Sequence, residues 1–183
     1  MNFSTGDAIK GKAGKIELKI GDGDSGRGTD LVLAAGNTVD KNQGGSTYVR
    51  SGISPTSSGE LFLATANAGR TGNSGTLILR SGSALSDSTG IVTIASGDSS
   101  GGSAGKLSMA AGKSDNQNGA NVEILGGSSS ARTGAGGSVI VAAGTGESSD
   151  VRNGGDGGEV VAVAGMSAGL SRDDSGGNFT MMG

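Results

Sequence analysis

Of 183 residues, 39 are Gly, 27 Ser and 20 Ala, so 86 positions carry almost no side chain, and there is one Tyr, three Phe and no Trp, His or Cys. A His-based triad, a zinc site of Cys and His, a reactive thiol and a disulfide framework are excluded by absence. The net charge is −3 and the 14 basic residues are scattered singly, so there is no cationic stripe to collect phosphates and nucleic acid is not an expected partner.

At the start of the chain, Met1 is followed by Asn2, Phe3 and Ser4 without a basic or apolar leader. A secretion signal is therefore expected to have been removed or to lie outside these residues. The first complete repeat is Gly14-Lys15-Ile16-Glu17-Leu18-Lys19-Ile20-Gly21, of the form G-x-Φ-x-Φ-x-x-G with Φ apolar or β-branched. It returns at Gly75 to Gly82, Gly105 to Gly112 and Gly137 to Gly144.

The first Φ of each repeat is Ile16, Leu31, Thr47, Leu61, Leu77, Val92, Leu107, Val122, Val139, Val160 and Phe179, at intervals of 15, 16, 14, 16, 15, 15, 15, 17, 21 and 19 residues. Eleven repeats of nearly constant length mark a repeat protein rather than a low-complexity linker. Asn2-Phe3-Ser4 resembles Asn178-Phe179-Thr180 and reads as a truncated twelfth repeat. The late intervals lengthen only within Gly144 to Gly158 and Gly165 to Gly177, which marks that part of the repeat as loop.

Each repeat predicts a strand of five or six residues with period-two alternation, followed by a turn. Gly36, Gly52, Gly82, Gly97, Gly112, Gly127, Gly144 and Gly165 close the strands, and positive φ is expected there. Pro55 falls in the loop between the third and fourth repeats, where a missing amide does least harm. One repeat cannot fold alone. Its two inward side chains contribute roughly 1.5–3 kcal/mol each, against about 1–2 kcal/mol for every residue ordered.

Stacking resolves this, and the predicted fold is all-β: a single β-solenoid domain, parallel β-helix-like, over residues 1–183, clearest over 14–183. Two repeats per coil let inward residues of opposite strands meet, giving five or six coils roughly 25 Å tall at about 4.8 Å per coil. One repeat per coil and an antiparallel meander satisfy the same alternation.

The residue between the two Φ positions faces away from that core, and Val32, Tyr48, Phe62, Ile78, Ile140 and Val161 are apolar or aromatic there. Either β-propensity alone puts them on a wet face, or a second sheet or second copy covers them. The second reading makes Val32, Phe62, Ile78, Ile140 and Val161 assembly contacts. Phe3 at one end and Phe179, Met181 and Met182 at the other join them, because a head-to-tail contact between uncapped coils gives fibres.

Several patterns mislead. Gly21 to Gly26 matches G-x-G-x-x-G, but another strand repeat follows where a helix is required, so no cofactor is expected. Asp22, Asp24 and Asp156 sit in isolated Gly-rich turns without the nine-residue period of calcium β-rolls, so no metal is expected. Asp173-Asp174 and Glu147 near Asp150 lack aromatic platforms, and read as solubilising charges rather than as a glycosidase pair. No catalytic residue is expected. The longest apolar runs, Leu31 to Ala35 and Val160 to Ala164, are far short of the roughly 20 residues that span a bilayer, so no membrane insertion is expected.

Asn2-Phe3-Ser4 and Asn178-Phe179-Thr180 are N-glycosylation sequons if the chain enters a secretory pathway. Ser-rich turns such as Ser128 to Ser130 are places for O-linked sugars, although small hydroxyl residues are also simply good turn formers. With units such as Gly136 to Gly144 laid out, residues 14–183 resemble the Gly/Ser-rich tandem-repeat surface proteins of microalgae and other protists. That resemblance implies an extracellular or cell-surface structural glycoprotein. The expected function is a self-assembling, non-enzymatic subunit of a filament or surface layer, whose partner is itself. The alternative is an adhesin or carbohydrate-binding module, with an ice-binding solenoid less favoured because the outward row mixes Glu, Phe, Ile and Ser.

Overall fold

The computed structural model describes residues 2–169 and 171–182. Among them there is neither helix nor paired strand, and the repeats run as extended segments joined by bends and turns. The alternation gives each segment one side to bury, but two apolar side chains per repeat do not hold a ladder together without stacked neighbours. No described residue is buried.

The eight positions of G-x-Φ-x-Φ-x-x-G are lettered a to h. The chain falls into two parts, Met1–Val92 and Thr93–Gly183, the division lying inside the sixth repeat. In the first part, the amide of Gly45 (position a) donates to the carbonyl of Gly36 (position h of the preceding repeat) at 2.9 Å, and Gly59 does the same to Gly52 at 2.9 Å. In the second part the same bond joins Ala120 to Gly112 at 3.4 Å, Gly137 to Gly127 at 2.7 Å, Gly158 to Gly144 at 2.8 Å and Gly177 to Gly165 at 2.8 Å. All six bonds share one register and draw the end of one segment to the start of the next, forming a neck.

The neck accounts for the small residues. A Cβ added to Gly45 would lie 3.3 Å from the Cβ of Ala35, and one on Gly59 would lie 3.6 Å from that of Ser51. Gly75 approaches Thr65 at 3.5 Å, Gly90 approaches Ser81 at 3.7 Å, Gly105 approaches Ser96 at 3.7 Å and Gly158 approaches Ala143 at 3.4 Å. The approach is tight at Gly45 and Gly137, where an added Cβ would lie 3.2 Å from a backbone nitrogen, and is ordinary van der Waals contact at Gly59, Gly75, Gly90, Gly105 and Gly158; Thr29 and Ala120 hold the same position in their repeats. Ala35, Ser51, Ser81, Ala143 and Ala164, all at position g, are half-buried, and every other described residue is exposed.

Two expectations are corrected. The closing glycines do not take positive φ: that conformation occurs at Lys10, Gly26 and Gly72, all in loops. A Cβ on Gly36, Gly52, Gly82, Gly97, Gly112, Gly127, Gly144 or Gly165 would meet nothing within 4 Å. The close approach lies instead at the opening of the repeat and is tight at Gly45 and Gly137. The N-terminal partial repeat also shifts in register. Thr5 packs against Gly14, its Cβ 3.1 Å from a Cβ built there, and its Oγ1 donates to the Gly14 carbonyl at 3.2 Å. Thr5 therefore holds position g, which puts Phe3 at the second Φ position rather than the first.

Candidate assembly interface

Alternate residues of an extended segment share a side. The a and g positions of successive repeats point at each other across the neck, so the Φ positions c and e lie on that same inner side and b, d and f lie outside. Exposure sets position c apart: its apolar residues run from 50% exposed at Val139 to 62% at Phe179, whereas those at position e run from 62% at Leu63 to 83% at Met181 and those at position d from 66% at Val161 to 89% at Tyr48.

The outward residues singled out from the sequence are all at the surface: Val32, Phe62, Ile78, Ile140 and Val161 lie at position d and are exposed. Val32, Tyr48, Phe62 and Ile78 occupy four consecutive repeats of the first part, and Ile140 and Val161 two consecutive repeats of the second. Phe3, Phe179, Met181 and Met182 are exposed near the ends of the chain, with Phe179 and Met181 at positions c and e and Met182 at the outer position f. Asn2 and Asn178 are exposed as well.

Sequence reading missed the organisation of the loops. Two residues beyond the closing position, a hydroxyl accepts backbone amides and folds the loop back on itself. Thr38 accepts from Asp40 at 3.2 Å, and Ser54 accepts from Thr56 at 3.1 Å and Ser57 at 3.3 Å, beside Pro55. Ser99 accepts from Gly102, Ser114 from Gln117, Ser129 from Ala131 and Ser167 from Gly169. The fixed offset from the closing position is the signal that reveals these residues once the register is known.

In the longest loop the carboxylate of Asp150 plays that role, accepting the amides of Arg152 at 2.8 Å and Asn153 at 3.2 Å. These two bonds hold its carboxyl below the usual aspartate value. Ion pairs are exposed and local: Lys15 with Glu17, Lys113 with Asp115 at 2.7 Å, Lys19 with Asp22 and Arg27 with Asp30, both at 3.9 Å. Among the described residues no group of three or more acidic side chains is placed to hold a metal ion. What the arrangement offers is repetition: an inner row of Φ side chains, an outer row half apolar, and extended segments whose backbone groups lie open between the necks.

No family model, curated protein or solved structure matches this chain.

Proposed function

We propose that the chain is a structural subunit of an extracellular filament or surface layer, built as a β-solenoid with two repeats per coil and assembling with copies of itself. The observation that carries this reading is the unburied apolar row. The accessible surface is 18934 Å², against roughly 7,900 Å² for a compact monomer of this mass. An array that exposes the same inner row in repeat after repeat is matched best by the same array. The neck fits this reading, because it draws the end of one repeat to the start of the next.

On this reading the backbone groups between necks pair with equivalent repeats above and below, and like side chains stack. The hydroxyl-capped loops form the soluble exterior, and Asn2 and Asn178 carry glycans in secreted material. The role needs no cofactor and no catalysis. Sedimentation and electron microscopy of the purified chain test it, with concentration-dependent filaments or sheets as the expected result. A chain that stays monomeric at every concentration contradicts it and moves the assignment to a surface-binding module.

A further inference from the structure

With two repeats per coil, as proposed above, successive repeats turn their outer sides in opposite directions, so odd and even repeats contribute to opposite outer faces. Charge divides between these faces by sign. In the first part, position f of the odd repeats holds Lys19, Arg50 and Arg80, while position f of the even repeats holds Ala34 and Ala64. The cations recur at intervals of 31 and 30 residues, the length of two repeats.

The even repeats instead place acids on their outer side, Asp30 and Glu60 at position b, and no base. The second part divides the same way: Lys106 lies in an odd repeat, and Glu123 and Glu159 lie in even ones. The one exception is Glu17, in the first repeat, which is paired with Lys15 on its own segment. Among the described residues Arg50, Arg80 and Glu60 make no ion pair, and Asp30 makes only the exposed 3.9 Å contact with Arg27.

We propose that these two outer faces are the halves of one lateral contact between copies of the chain. The face bearing Lys19, Arg50 and Arg80 around Tyr48 and Ile78 docks on the face of a second copy bearing Asp30 and Glu60 around Val32 and Phe62. The inference rests on the assembly reading above and on two repeats per coil. An isolated exposed pair contributes little. Here, however, like charges on one face recur every coil, at about 4.8 Å, well inside the roughly 8 Å screening length at physiological salt. They act together on an oppositely charged array. The apolar residues at position d supply the centre of the contact and the charges its rim.

A contact between two different faces of the same molecule does not close, so copies add in rows. Pairing two identical faces instead brings like charges together, which sets the orientation. The occupant is a second copy because this molecule carries both signs in the same register.

Two double variants test the contact, Arg50→Glu with Arg80→Glu and Asp30→Lys with Glu60→Lys, read by sedimentation, electron microscopy and the axial spacing. The wild-type chain is expected to associate laterally at about 0.1 M salt and to separate towards 1 M, where the screening length falls from roughly 10 to 3 Å. Each variant alone loses lateral association while keeping the axial spacing, and mixing the two restores it, which also shows that both are folded. Lateral association of either variant alone at the wild-type level overturns the inference, as does failure of the mixture when the neutral variants Arg50→Gln and Glu60→Gln keep the axial spacing. If the wild-type chain forms no axial stack, the assembly reading fails with it. An axial stack with charge-independent lateral contacts overturns the inference alone.

Discussion

Gly45 donates its amide to the carbonyl of Gly36 at 2.9 Å, in a space so narrow that a Cβ on Gly45 would lie 3.2 Å from the Gly36 nitrogen. The same pair of positions meets at Gly59 and Gly52, at Gly137 and Gly127, at Gly158 and Gly144, and at Gly177 and Gly165. This contact assigns every residue of the repeat to an inner or outer side, and the functional proposal follows from that assignment.

The two glycines of the neck differ in what they tolerate. Gly45→Ala crowds Ala35 and Gly36, and at this exposed site the cost is expected at or below the low end of the about 1–3 kcal/mol of overpacking. Gly36→Ala meets open space in an ordinary backbone conformation, and is expected to be neutral or to stabilise by about 0.4–1 kcal/mol through the unfolded chain. Urea midpoints of the assembled variants measure the difference. Equal destabilisation by both substitutions contradicts the neck.

Ser54 holds the third loop by accepting two amides. Ser54→Ala leaves both donors to solvent, and at this exposed site the cost falls at the low end of the about 0.5–1.5 kcal/mol net value of a hydrogen bond. Amide exchange at Thr56 and Ser57 should accelerate, with little change at Gly59, whose amide is bound to Gly52. Unchanged exchange at Thr56 and Ser57 removes the hydroxyl from the loop's support.

The repeat length, the alternation and the loop positions were legible in the sequence, because Φ residues such as Leu77 and Leu79 recur against a background of Gly and Ser. The reason for the glycines was not. A glycine closing a strand and one pressed against a neighbour look alike in sequence, and only the approach of Gly45 to Ala35 separates them. The register of Phe3 is not legible, because Asn2-Phe3-Ser4 matches Asn178-Phe179-Thr180 locally, whereas the packing of Thr5 on Gly14 sets it. The charge division was hidden because Lys19, Arg50 and Arg80 look scattered until alternate repeats are assigned to one face.

Asp150 makes one loop sensitive to acid. Its carboxyl is held below the ordinary value by the amides of Arg152 and Asn153. The stabilisation is complete above the unfolded value of about 3.9 and is lost as pH falls through the lower folded value. Carboxyl titration by NMR should give a midpoint below the ordinary one, with Arg152 and Asn153 amide exchange rising through that midpoint. Asp150→Ala should leave exchange at both amides fast at neutral pH, and a midpoint at or above the ordinary value contradicts the assignment.

Outward apolar residues should matter to association and not to the coil. Phe62→Ser and Ile140→Ser remove exposed side chains at position d, so far-ultraviolet circular dichroism should be unchanged while lateral association weakens. A loss of β signal in either variant would place these residues inside the fold instead.

Electron microscopy of native material near neutral pH tests most directly the claim that the repeats stack into a β-solenoid that assembles with itself. Two-dimensional class averages should show uniform filaments or layers with a spacing of about 4.8 Å along the stacking axis. Discrete monomers without that spacing contradict the claim.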